Sequence, residues 1–144
     1  MKLYVDLDSL SLISQPGYSH PVEQIYVRRD DTVPFTVQFV QSGVIVDPGT
    51  ASVYFIAKTA ANYNESPALV PLSTVFAKTG TGTSTIFSQS IAFTGTALDT
   101  ALSVVAGLGI ESIAAMGEIS WSIAGVYTTA RKFTVTIELD LNRA

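Results

Sequence analysis

Pro34-Phe35-Thr36-Val37-Gln38-Phe39 decides how the rest of the chain is read. Phe35, Val37 and Phe39 alternate with Thr36 and Gln38. A period of two marks a strand with one apolar face, because successive side chains leave opposite sides of the pleat. Proline is tolerated at the first position, which need not donate to the ladder. Working outward, Leu3, Val5 and Leu7 share a face opposite Lys2, Tyr4, Asp6 and Asp8, and residues 22–27 read as another strand. Val53, Phe55 and Ala57 alternate with Ser52, Tyr54 and Ile56, so that strand is apolar on both faces. Ile119, Trp121 and Ile123 alternate with serines. Phe133, Val135, Ile137, Leu139 and Leu141 alternate with Lys132, Thr134, Thr136, Glu138 and Asp140.

Punctuation between these runs is polar or glycine-rich. Arg28-Arg29-Asp30-Asp31 reads as a self-neutralising turn, and Asp47-Pro48-Gly49 as a turn set by proline φ and glycine freedom. Gly80 and Gly82 separate β-rich runs at 72–78 and 83–93, a hairpin with a loose turn. Residues 125–129 read as the turn between the last two strands, and 59–71 as an irregular connection. One helix is predicted near 97–106. Thr96 caps it, Asp99 follows three residues later, Leu98, Ala101, Leu102 and Val105 form one stripe, and Gly107 and Gly109 stop it.

Seven or eight strands with one short helix predict an all-β protein, an antiparallel β-sandwich or flattened barrel. Its inward set is Phe35, Val37, Phe39, Val53, Phe55, Ile119, Trp121, Ile123, Phe133, Val135 and Ile137. Residues 9–21 hold Pro16-Gly17 and Pro21 without a lasting period. The expected organisation is therefore an N-terminal strand and extended arm at 1–21, followed by a sandwich domain at 22–144.

Composition narrows the function. The 144 residues carry 12 acidic and 8 basic side chains, a formal charge of −4, with a pI near 4.7. That balance argues against nucleic-acid binding, which needs a basic face to exchange for phosphate counterions. There are no cysteines and one histidine, which removes thiolate chemistry and most zinc and histidine-relay chemistry. No cofactor is implied, and a small-molecule ligand is not expected. The charge-free run at 32–46 alternates instead of supplying the ~20 continuous apolar residues of a membrane helix. Acids interrupt the opening apolar stretch, so it is no signal-peptide core, and Asn64-Glu65-Ser66 is then a chance match to a glycosylation acceptor.

The candidate chemistry is thin. Asp6 and Asp8 lie two apart on one strand face, a spacing that can hold a divalent cation, but acids on a strand face are ordinarily solvated. Asp30 and Asp31 follow two arginines. His20 has no identifiable partner. Gly80-Thr81-Gly82-Thr83-Ser84 lacks the lysine of a phosphate loop and leads into a strand, not a helix. No catalytic residue is assigned, and the chain is read as a non-enzyme.

The surface is the informative feature. Only 14% of residues are charged, while serine and threonine together number 31. Solitary domains usually guard their surfaces with interspersed charge, whereas interfaces are charge-depleted and aromatic-rich. Apolar pairs at Tyr54/Ile56, Ile86/Phe87 and Ile91/Phe93 exceed the needs of one small core on this reading. The expected interface residues are Leu3, Tyr4, Val5, Leu10, Leu12, Ile13, Tyr18, Tyr54 and Ile56.

Arg29-Asp30-Asp31-Thr32 leading into Phe35-x-Val37-x-Phe39, then Gly43, then Val53-x-Phe55-x-Ala57-Lys58, resembles small structural proteins of tailed bacteriophages. The resemblance is to the N-terminal sandwich of upper-baseplate and tail-fibre-attachment proteins. It covers residues 25–60, with Gly117-Glu118-Ile119-Ser120-Trp121 and the closing ribbon following the same architecture. It implies a virion component without catalysis, made in the host cytoplasm and assembled with copies of itself and other virion proteins. The sequence ends soon after its last strand, without the extension common in fibre proteins, so host recognition is not expected. The alternative is a carbohydrate-binding or adhesion sandwich, which exposed tyrosines or Trp121 on a concave face would favour and a buried Trp121 would weaken.

Overall fold

The computed structural model describes residues 1–18, 20–59, 75–107 and 112–138. Among them are eleven strands: β1 (Lys2–Asp6), β2 (Ser11–Ile13), β3 (Gln24–Arg28), β4 (Thr32–Gln41), β5 (Val44–Val46), β6 (Ala51–Thr59), β7 (Ala77–Thr79), β8 (Ile86–Ala92), β9 (Ser112–Ile123), β10 (Val126–Thr129) and β11 (Phe133–Glu138). One helix, α1 (Thr96–Gly107), precedes β9. The first sheet runs β2-β1-β4-β8-β7 with β5 beside β4, and the second runs β10-β9-β11-β3 with β6 beside β9. The chain is an all-β sandwich with one helix, and no barrel closes. No helix among the described residues is long and apolar enough to cross a membrane.

The predicted alternation explains how the two sheets pack. Every member of the inward set lies in the shared core except Ile123, which sits at the end of β9 and is 37% exposed. All seven phenylalanines of the chain are fully buried. Phe35 of β4 stacks on Phe55 of β6 across the sheets at 5.2 Å, and Phe39 meets Trp121 of β9 edge-on, also at 5.2 Å. Phe93 and Phe133 extend this seam from Phe55. Burying one phenylalanine is worth about 1.5–3 kcal/mol. The seam therefore outweighs any single polar contact on the surface. Helix α1 adds Leu98 and Leu102, both buried.

Two pairings depart from an antiparallel scheme. β1 lies parallel to β4, and β3 parallel to β11. Parallel neighbours need a crossover, and here the crossover is an excursion through the opposite sheet: the chain leaves β1 and β2, crosses to β3, and returns at β4. Periodicity carries no direction, so this could not be read from it. Pro34 also lies further inside its strand than predicted, opposite Ser90 of β8. It is tolerated because β1 first pairs at Lys2 with Thr36, so a nitrogen at position 34 points beyond the end of β1.

Residues 1–13 are built into the sandwich. β1 sits between β2 and β4, and Leu3, Val5 and Leu12 belong to the core. Ile13 and Val40 are buried outside the inter-sheet cluster, on the outer face beside the segment that brings Gly17 against Gly43. Pro21 bridges to Ile13, and the Val22 N–H donates to the Leu12 carbonyl at 2.7 Å.

The turn placed at 125–129 is instead the two residues Ala124 and Gly125, followed by strand β10. Ser42 and Gly43 make the matching turn between β4 and β5. Both residues of each turn have positive φ, the backbone that suits a two-residue hairpin to strand twist. The glycosylation-like triplet at 64–66, residues 60–74, Gly109, Leu139 and Leu141 lie outside the described residues, as do the side chains of Thr96 and Val105.

Gly117 is needed for packing. A Cβ there would stand 2.7 Å from Val135 Cγ2 and 2.8 Å from Phe133 Cε2, both on buried side chains with no room to retreat. Gly117→Ala is expected to lower unfolding free energy by about 1–3 kcal/mol, the usual cost of overpacking, read as a fall in urea midpoint at unchanged m-value.

Candidate functional site

The acids and basic residues singled out in the sequence are engaged in holding turns and corners. Asp6 accepts the Asp8 N–H at 3.0 Å and the Ser9 hydroxyl at 3.1 Å, and Asp8 accepts the Ser42 N–H at 2.7 Å. These carboxylates therefore fix the β1–β2 and β4–β5 turns. Arg28 pairs with Glu138 at 3.5 Å, and Arg29 reaches Asp99 of α1 at 2.9 Å as well as Asp30 at 3.7 Å. The turn is thus neutralised largely from outside itself. Its backbone links both sheets, with Arg29 N–H donating to the Glu138 carbonyl and Asp30 N–H to the Phe93 carbonyl, each at 2.9 Å. Among the described residues no three His, Cys, Asp or Glu side chains gather as a metal site. His20 is exposed. The glycine-rich segment holds a single 3-10 turn, Gly82–Ser84, and runs on into β8.

Asp47 is held by a cluster of polar contacts. Lys78 Nζ donates to its carboxylate at 2.8 Å and to the Gly49 carbonyl at 2.8 Å, while the Gly49 N–H donates to the same carboxylate at 2.9 Å. Lys78 first, and then the Gly49 N–H, hold the Asp47 pKa below the usual aspartate value. The contact ties β7 to the turn before β6.

The expected interface residues divide by burial. Leu3, Val5, Leu12 and Ile13 are consumed within the chain and cannot meet another molecule without opening the fold. The same correction applies to Phe87, Ile91 and Phe93, which lie in the core. Alternation alone does not say which apolar face meets the opposite sheet. Tyr4, Tyr54 and Ile56 are half-buried on outer faces, and Leu10 and Tyr18 are exposed.

The outer face of the second sheet is hydroxyl-rich. Ser120 and Ser122 of β9 lie between Tyr54 of β6 and Tyr127 of β10 in register. These short side chains let the two tyrosines lean together, with ring centroids 6.4 Å apart. Tyr127 is 69% exposed, and Ile123 and Val126, paired at the hairpin tip on the opposite face of the sheet, are exposed as well. Trp121 faces the core instead, at 3% exposure. The sequence offered Tyr26 and Tyr127 only among six scattered tyrosines, as stacking platforms or half-buried strand and interface residues, and it did not single out Tyr26, Val126 or Tyr127 as interface positions. The second and third sat in a segment read as turn, and Tyr26 on a strand whose edge position was not legible.

At the far side of the same sheet, β3 pairs only with β11 among the described strands. Beside it lies an open groove of about 350 Å³ lined by Tyr26, Val27, Arg28, Asp31, Val33 and Glu138. Tyr26 is 62% exposed.

No family model and no curated protein matches the chain. Among solved structures it is similar to the N-terminal domain of phage TP901-1 ORF48, at 12% sequence identity and a TM-score of 0.45, over 95% of this chain and 96% of that one.

A depressed carboxyl pKa stabilises the fold above the unfolded value and loses that contribution as pH falls through the folded one. The stability difference between wild type and Asp47→Asn is therefore expected to be constant from pH 7 to about 5 and to shrink below about pH 4. Urea titrations across that range measure it.

Proposed function

We propose that this chain is a non-enzymatic structural component of a phage virion, working through protein–protein assembly with copies of itself and with other virion proteins. One observation carries the reading: large apolar side chains stand on outer faces and edges that hold few ions. Tyr26 and Tyr127 are more than half exposed on the outer face of the second sheet among its serines and threonines, and Val44 and Val126 are more than half exposed at two hairpin tips. Such a surface resembles an interface more than the charge-guarded exterior of a solitary domain. The phage-like motif at residues 29–58 supports the same reading. Tyr4, Leu10, Tyr18, Tyr54 and Ile56 remain the proposed contacts from the original set.

Purified particles of the encoding phage are expected to contain the chain at a fixed copy number that survives high-salt washing, counted by quantitative mass spectrometry. Abundance in the lysate with absence from the particles would overturn the proposal.

A second reading, a glycan-binding module, has one observation in its favour, the Tyr54–Tyr127 pair over a hydroxyl-lined face. Burial of Trp121 weighs against it. On this reading Tyr127→Ala abolishes retention on immobilised oligosaccharides that hold the wild type; on the assembly reading neither protein is retained.

A further inference from the structure

We infer that two copies of this chain pair edge to edge through β3, antiparallel about a two-fold axis at Tyr26, joining their second sheets into one continuous sheet. The inference rests on the assembly reading and adds the contact. Its first support is the backbone. The Glu23 carbonyl accepts the Thr134 N–H at 2.8 Å, and the Arg29 N–H donates to the Glu138 carbonyl at 2.9 Å, so odd-numbered residues of this strand face β11. Strand alternation then aims the N–H and C=O groups of Gln24, Tyr26 and Arg28 away from the sheet. Among the described residues only the Arg28 carbonyl of this set has a backbone partner, the Asp31 N–H at 3.2 Å. Two such edges placed antiparallel satisfy each other: Tyr26 exchanges both bonds with Tyr26 of the second copy, and each Arg28 N–H meets the opposing Gln24 carbonyl.

The side chains fit a second copy in particular. Gln24-Ile25-Tyr26-Val27-Arg28 is symmetric in character about its centre, with Ile25 and Val27 turned into the core and three polar or aromatic residues turned out. The two-fold axis sets Arg28 opposite Gln24, so no like charges meet. Gln24 donates its Nε2 to Thr136 Oγ1 at 2.7 Å, which leaves its Oε1 to accept from the opposing guanidinium. Arg28 is well exposed beyond its contact with Glu138. The two Tyr26 rings then cover each other across the axis. β3 contains neither lysine nor proline, two of the devices that normally guard an edge.

Five residues a side make a small contact, below about 1,200 Å², so pairing is weak and concentration-dependent. The full chain is expected to show a monomer–dimer equilibrium by sedimentation between about 10 µM and 1 mM. Tyr26→Lys and Tyr26→Glu, each placing like charges across the axis, are expected to weaken association at least tenfold with unchanged far-UV circular dichroism. Mixing the two variants in equal amounts restores the dimer. As a measurement free of any variant, exchange of the wild-type Tyr26 amide slows as protein concentration rises. A wild type that stays monomeric, with a Tyr26 amide indifferent to concentration, overturns the inference. Self-association that both variants leave untouched also overturns it, while leaving the assembly proposal standing through another surface. Absence from particles would instead strike the assembly proposal.

Discussion

The contact between Phe35 and Phe55, with Phe39 against Trp121 beside it, holds the rest of the structure in place. It joins β4 of one sheet to β6 and β9 of the other at ring separations of 5.2 Å. Each sheet has one apolar face, and neither face is stable in water alone. The seam fixes which faces are hidden, and therefore which residues are left outside. It also accounts for Gly117: with Phe133 and Val135 pressed against β9, that position has no space for a side chain.

Because the seven phenylalanines and Trp121 are all spent in the seam and its surroundings, the outer faces are built from what remains. These are hydroxyls, a few tyrosines and aliphatics at hairpin tips, and ions used mainly as local fasteners. Asp6, Asp8 and Asp47 secure turns, and Arg29 secures the corner between sheets. Charge thus does structural work at the ends of strands, and the sheet faces stay nearly neutral. A face of this kind resists its own neighbours weakly, which is the physical basis of the proposed assembly.

Much of the fold was legible in the sequence because burial wrote a period of two into β4, β6, β9 and β11. The helix was legible from its stripe of Leu98 and Leu102. What escaped has physical reasons. β2, β5 and β10 are three or four residues long, too short to establish a period. The first half of β9 packs Ala115 and Gly117 inward, and small residues carry little hydropathic contrast. Strand direction leaves no mark on alternation, so both parallel pairings were invisible. The surface was legible only in composition. That Leu3, Val5, Leu12 and Ile13 belong inside, and that Tyr26 stands on a sheet edge, depended on strand order.

Trp121 is the one tryptophan of the chain, and it sits in the seam, so its fluorescence reports the packing of the two sheets directly. If the seam holds the domain together, native emission is blue-shifted. In urea it then moves to the red with the same midpoint as the far-UV circular dichroism, in one cooperative transition. A native spectrum already characteristic of water-exposed tryptophan, or a fluorescence transition that precedes loss of strand signal, would contradict the account.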